Sequence, residues 1–183
     1  MRAFIAIGLD EVIRARLAEA QERLRAARAS VKWVKPELIH LTLKFLGEIE
    51  ADAVEGIMGV VAQAAEGIGP FDVRVAGLGA FPPRGAPRVV WAGMEEDARL
   101  ATLQQLLEAG LEPLGFPAEN RPFTAHLTLG RVKDPRHAGA LRTLVEAEAS
   151  ADFGTQRVAE ILLMQSVLSP SGPTYTPLRR HAL

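Results

Sequence analysis

Two nine-residue strings set 86 positions apart constrain this chain more than any other feature. Lys35-Pro36-Glu37-Leu38-Ile39-His40-Leu41-Thr42-Leu43 aligns with Arg121-Pro122-Phe123-Thr124-Ala125-His126-Leu127-Thr128-Leu129, sharing an initial basic residue, the proline and the block His-Leu-Thr-Leu. Further out, Gly8 and Gly93 each follow an apolar run and precede an acidic residue and a long helical pattern. Self-similarity at one long offset marks a duplicated unit. It predicts that residues 1–183 form a single domain of two lobes related by a pseudo-two-fold axis, with the two matching strands facing each other across a cleft.

The periodicities give the same strand–helix–strand–helix–strand order in each half. Residues 2–8 suit a buried strand, and Asp10 stands as an N-cap before Ile13, Leu17, Ala20 and Leu24, predicting a helix over 10–29. Strands are predicted at 31–34 and 39–46, interrupted by Pro36. A second helix follows at 52–66, then strands at 71–78 and 88–93. Phe81-Pro82-Pro83-Arg84-Gly85-Ala86-Pro87, which joins those strands, reads as a loop with freedom to move. Leu100, Leu103, Leu107 and Leu111 mark a third helix, and Asp134-Pro135 predicts the cap of a fourth reaching about 149. Strands at 157–168 and 174–180 close the chain.

Composition narrows the chemistry. Of 183 residues 48% are hydrophobic, which suffices for a folded core, and none is cysteine. Thiol nucleophiles, disulfides and cysteine-ligated metals are therefore excluded, leaving His and carboxylates as the remaining metal ligands. With 21 Lys and Arg against 22 Asp and Glu, the chain lacks the basic face that coating a long nucleic acid requires. Any phosphate binding must be local. The apolar run after Met1 is far shorter than the ~20 residues of a membrane span and lacks the form of a signal peptide, so a cytoplasmic protein with no membrane partner is expected.

Strand alternation carries the argument to the site. His40 and Thr42 lie about 6.6 Å apart on one strand face, joined by Lys44, while Leu41, Leu43 and Phe45 turn to the core. His126 and Thr128 repeat the arrangement. A histidine's ordinary pKa is about 6.5, so near neutral pH one imidazole can accept a proton from water while another gives one to a leaving oxygen. The threonine hydroxyls can donate to nonbridging phosphate oxygens as charge develops. Two histidines, two hydroxyls and no nucleophile fit hydrolysis of a phosphodiester, above all a strained cyclic one. Arg131 supplies the fixed charge if a bulge or strand end near Gly130 turns it away from the core. Lys133 is a further candidate charge, and Trp33, Phe123 and Tyr175 are candidates for stacking a base. His137, in the predicted opening turn of the fourth helix, and His181, near the end of the chain, are expected at the surface.

The paired His-Leu-Thr-Leu blocks, with Trp33-Val34 and Leu43-Lys44-Phe45-Leu46-Gly47-Glu48 around the first and Phe123-Thr124-Ala125 and Gly130-Arg131 around the second, resemble the two-histidine phosphoesterase superfamily. Within it the chain is similar to the RNA 2′,3′-cyclic phosphodiesterases, long described as 2′-5′ RNA ligases. The resemblance implies a bilobal α+β fold, each lobe an antiparallel sheet backed by helices, with one motif per lobe lining the cleft. It also implies hydrolysis of RNA 2′,3′-cyclic phosphate ends to 2′-phosphates without metal or other cofactor, with reversible 2′-5′ ligation as a side reaction; a monomer is expected. The assignment of His40 as proton donor and His126 as proton acceptor, with Thr42, Thr128 and Arg131 on the phosphate, comes from the resemblance; spacing alone leaves donor and acceptor open. Three alternatives stand beside it: a metal-dependent hydrolase with His40 and His126 as ligands, a non-catalytic RNA-end binding module, and a phosphodiesterase for small cyclic nucleotides or ADP-ribose cyclic phosphate.

Overall fold

The computed structural model describes residues 1–183. Nine strands and four helices follow in the order β1 (Arg2–Ile7), α1 (Glu11–Arg25), β2 (Ser30–Trp33), β3 (Leu41–Glu48), α2 (Ala53–Ala64), β4 (Phe71–Phe81), β5 (Val89–Met94), α3 (Ala98–Leu111), β6 (His126–Asp134), α4 (Gly139–Ala147), β7 (Asp152–Val158), β8 (Glu160–Ser169) and β9 (Gly172–Ala182). Short 3₁₀ turns at Pro36–Leu38 and Glu112–Leu114 complete the path.

Two sheets form, each from antiparallel pairs: β3-β1-β8-β9, and β2-β6-β5-β4-β7. Five consecutive buried residues, Ala3 to Ile7, make β1 an interior strand between β3 and β8, because both of its faces must leave water. The first order has the same form as β6-β5-β4-β7, with β2 added outside β6. The helices cross over between the halves. Helix α1 follows β1 yet packs against β7 of the second sheet, and α3 follows β5 yet packs against β3 of the first; α2 lies against β9 and α4 against β4. This exchange threads both halves through a single cluster of 38 buried residues. It also carries residues of each half's first helix to the other half's motif strand.

Several expected boundaries shift. Helix α1 stops at Arg25 because Arg28 adopts φ 53°, which reverses the chain into β2. Asp10 precedes α1 but makes no side-chain cap bond; its N–H instead donates to Gln156 Oε1 at 2.8 Å. Asp134 stays in β6, its carboxylate accepting from the Arg136 backbone at 3.0 Å, and His137 at φ 62° sits in the left-handed region. Helix α4 therefore starts only at Gly139. The strand expected at 157–168 is two, β7 pairing with β4 and β8 with β1, so the chain changes sheets at Ala159. The apolar pattern runs through that point and gives no sign of it. The 82–87 loop, expected to be free, is held by Arg142 of α4, whose guanidinium donates to the carbonyls of Pro82, Pro83 and Gly85 at 2.8, 3.2 and 2.8 Å.

Candidate active site

His40 lies one residue ahead of β3 and His126 is the first residue of β6. Each imidazole is fixed by the backbone behind it. His40 Nδ1 bonds the Leu38 carbonyl at 2.7 Å and His126 Nδ1 bonds the Thr124 carbonyl at 2.8 Å, two carbonyls that are again 86 residues apart. A ring nitrogen facing a carbonyl must carry the proton, so Nε2 is the reactive nitrogen in both rings. In the neutral His40 ring it accepts from Thr42 Oγ1 at 2.9 Å. Strands β3 and β6 belong to different sheets yet touch each other, and this brings the two motifs to one junction.

A β-bulge at the same place in each motif sets which side chains join the histidines. Ile5 pairs with Lys44 and Ala6 with Thr42, so Leu43 is the extra residue in β3; Val90 pairs with Gly130 and Trp91 with Thr128, so Leu129 is the extra residue in β6. A bulge leaves two successive side chains on one side and inverts the alternation beyond it. Leu43 and Lys44 are accordingly both buried, at 3% exposure each, and Phe45 is 61% exposed. Both placements reverse the strict-alternation expectation. Lys44 is not on the histidine face: its Nζ donates to Glu108 Oε2 at 2.7 Å and to the Pro117 carbonyl at 2.6 Å beneath the strand. In β6 the same inversion buries Leu129 and Gly130 and turns Arg131 outward onto the side of His126 and Thr128. The condition attached to Arg131 is thus met.

Aromatic rings enclose both imidazoles. Phe4 stacks on His40 with centroids 4.8 Å apart, and Tyr175 meets it edge-on at 5.3 Å. Phe81 meets His126 edge-on at 5.4 Å, and Trp91 lies 6.4 Å away. The Trp91 indole lies flat over Gly79, where any Cβ would come within 2.1 Å of the ring, so glycine is required there. Of the residues proposed to stack a base, only Tyr175 touches a histidine. Trp33 packs with Arg25 at 5.6 Å on the α1 side, and Phe123 packs against the core beside α3. Lys133 is exposed on β6, His137 sits in the turn before α4, and His181 is half-buried in β9 opposite Ile161.

The electrostatics around His40 tie the motifs together. Burial pushes the His40 pKa below its ordinary value, the Leu38 carbonyl opposes this, and the positive charge of Arg14 lowers it further. His40 is therefore neutral at pH 7. Arg14 makes no ion pair, and its Nε is buried without a partner. Burial raises the Tyr175 pKa, while the charges of Arg131 and Arg2 pull it down. Arg131, from the second motif, is thus within electrostatic reach of a ring that touches His40 of the first. No three His, Asp or Glu side chains lie together as a metal-holding group.

Sequence reasoning missed Phe4, Phe81, Trp91 and Arg14. The two glycines facing Trp91 from within strands, Gly79 and Gly93, were the available signal, because glycine inside a strand marks close approach.

The sequence profile of the LigT like phosphoesterases matches residues 7–91 and again 93–175. A protein of Methanothermobacter thermautotrophicus named RNA 2′,3′-cyclic phosphodiesterase is 39% identical over 178 residues, covering 97% of this chain and 96% of that protein. A crystal structure from Thermus thermophilus superposes with a TM-score of 0.83 at 36% identity, covering 100% of this chain and 98% of the other. E. coli LigT complexed with 3′-AMP gives 0.75 at 28% identity, covering 100% and 97%.

Proposed function

Because this chain belongs to the LigT-like phosphoesterase family, we propose that it is an RNA 2′,3′-cyclic phosphodiesterase, hydrolysing RNA 2′,3′-cyclic phosphate ends to 2′-phosphomonoesters. The observation that carries this is the pair of imidazoles, each with Nδ1 pinned to a carbonyl two residues back and Nε2 left for chemistry, on strands that meet.

In the reaction a water oxygen forms a bond to phosphorus while its proton passes to His126 Nε2. The P–O3′ bond breaks, and the departing oxygen takes a proton from His40 Nε2. Thr42 and Thr128 donate to the nonbridging oxygens, and the Arg131 guanidinium offsets the charge that builds there. Burial and the Arg14 charge hold the His40 pKa down, so the ring must be charged by the substrate: the bound phosphodiester is an anion, and a nearby negative charge favours the imidazolium. Release of ring strain drives hydrolysis; attack by a 5′ hydroxyl in place of water gives 2′-5′ ligation by the same residues. In this reading the protein acts in the cytoplasm as one domain of two lobes, as a monomer without metal or other cofactor.

The test is incubation with an oligonucleotide ending in a 2′,3′-cyclic phosphate, in the presence of a strong chelator, with the product followed by phosphorus NMR. The expected result is complete conversion to a 2′-phosphate. A cyclic end left intact both with and without the chelator overturns the reading, one left intact only with it assigns a metal-dependent hydrolase, and faster turnover of a mononucleotide 2′,3′-cyclic phosphate than of the oligonucleotide assigns a small-molecule substrate instead.

A further inference from the structure

Two polar groups outside the histidine motifs, one buried and one partly buried, occupy equivalent places in the two halves. Gln21 of α1 and Glu108 of α3 each stand eleven residues after the aspartate that precedes its helix, Asp10 and Asp97. The Gln21 side-chain amide, in a residue only 2% exposed, donates to the Val34 carbonyl at 2.7 Å and to the Leu129 carbonyl at 2.9 Å. Val34 lies in the segment leading to His40, and Leu129 is the bulge residue of the other motif. Glu108 Oε2 accepts from the Glu119 N–H at 3.2 Å and from Lys44 Nζ at 2.7 Å. Glu119 lies in the segment leading to His126, and Lys44 directly follows the bulge residue of the first motif. Lys44 also donates to the Pro117 carbonyl in that segment. Each tether therefore joins the lead-in of its own half's histidine to the bulge of the opposite half.

We propose that Gln21 and the Lys44–Glu108 pair are positioning residues, two equivalent tethers that set the separation and aim of His40 and His126 from behind the strands. This rests on the two-histidine hydrolysis proposed above. Neither tether faces the cleft: both act from the helix side, Gln21 on the backbone carbonyl of the bulge that turns Arg131 to the front and Glu108 on the side chain of Lys44, which follows the bulge that turns Phe45 to the front. Burial of the Gln21 amide requires its donors to be used, and the two carbonyls it joins come from segments far apart in sequence that also meet through the Val34 N–H, which donates to the Leu129 carbonyl at 2.8 Å, so the amide braces that junction from the helix side. Displacing a catalytic group by about 1 Å lowers rate by as much as 10²-fold.

The test is a double-mutant cycle between Gln21→Met, which keeps length and removes the donors, and His126→Ala. Alone, Gln21→Met is expected to lower kcat by about 10- to 100-fold, with KM rising less. In the His126→Ala background, where there is no second imidazole to align, the same change is expected to alter kcat by no more than about twofold. A purely structural role predicts equal losses in both backgrounds. Val145→Ala in α4, a buried position away from the motifs, serves as a destabilised control that keeps wild-type kcat below its own Tm. Lys44→Met repeats the cycle at the second tether, and decides the matter if Gln21→Met fails to fold. Equal losses in the two backgrounds, or wild-type kcat in Gln21→Met, overturn the proposal. A wild-type protein that leaves the cyclic end intact overturns the hydrolase reading itself, and the positioning role with it.

Discussion

Replacing His126 by alanine lowers kcat for opening of a 2′,3′-cyclic phosphate by about 10²–10⁴-fold, and His40→Ala lowers it by a comparable factor, because each ring supplies one proton transfer of that usual worth. The two variants part on a substrate that needs no proton on its leaving group. A nitrophenyl phosphodiester restores much of the activity of His40→Ala, whose missing function is donation, and little of that of His126→Ala, whose missing function is activation of water. Steady-state kinetics on both substrates, with circular dichroism to confirm folding, checks this. Both rings are half-buried, and each holds only one backbone carbonyl through Nδ1, so truncation leaves the core of 38 residues intact. The reverse pattern of rescue exchanges the two roles without moving the site.

Arg131→Met raises KM for the same substrate by about 10- to 100-fold, as expected for a charge-assisted hydrogen bond to phosphate worth about 1.5–3 kcal/mol. Arg131 makes no ion pair elsewhere in the fold, so its charge is available to an anion. Arg131→Lys keeps the charge and loses the planar fork, and its KM is expected between those of the wild type and the methionine variant. KM measured at two salt concentrations checks the electrostatic origin: the wild type should lose affinity as salt rises, and Arg131→Met should lose less. Equal KM values in all three proteins remove Arg131 from the phosphate.

The repeat in the sequence predicts both the duplicated strand order and the placement of the histidines, because a basic residue, a proline and the block His-Leu-Thr-Leu at the same spacing impose the same local geometry twice. The paired Leu38 and Thr124 carbonyls follow from it, and so do the paired bulges at Leu43 and Leu129. The bulges themselves were not legible. Binary patterning assumes an unbroken period of two, and that assumption sends Lys44 to the cleft and Phe45 to the core, the opposite of what the strand does. Only Arg131 exposed the problem in advance, since a phosphate-binding role there contradicts strict alternation. The aromatic surround of each ring was hidden for a different reason. Phe4, Phe81 and Trp91 reach the histidines across sheet register, and register depends on which strands pair, which a single strand's pattern does not encode. The change of sheet at Ala159 was invisible because β7 and β8 both bury apolar residues, so the signal runs across the corner. Exchange of α1 and α3 between the halves is likewise a property of the assembled fold, and it explains why Gln21 and Glu108 look like ordinary helix residues until their partners are seen.

If both imidazoles face one anion, titration of the wild-type protein with inorganic phosphate, followed through the ring resonances of His40 and His126 by proton–carbon NMR, reports one binding event at both rings. In the free protein His40 should titrate below the ordinary histidine range, as its burial and the Arg14 charge require. Added phosphate should shift both sets of resonances along curves with a single Kd and move the His40 pKa upward. Separate Kd values for the two rings, or a response from only one of them, contradict a shared site.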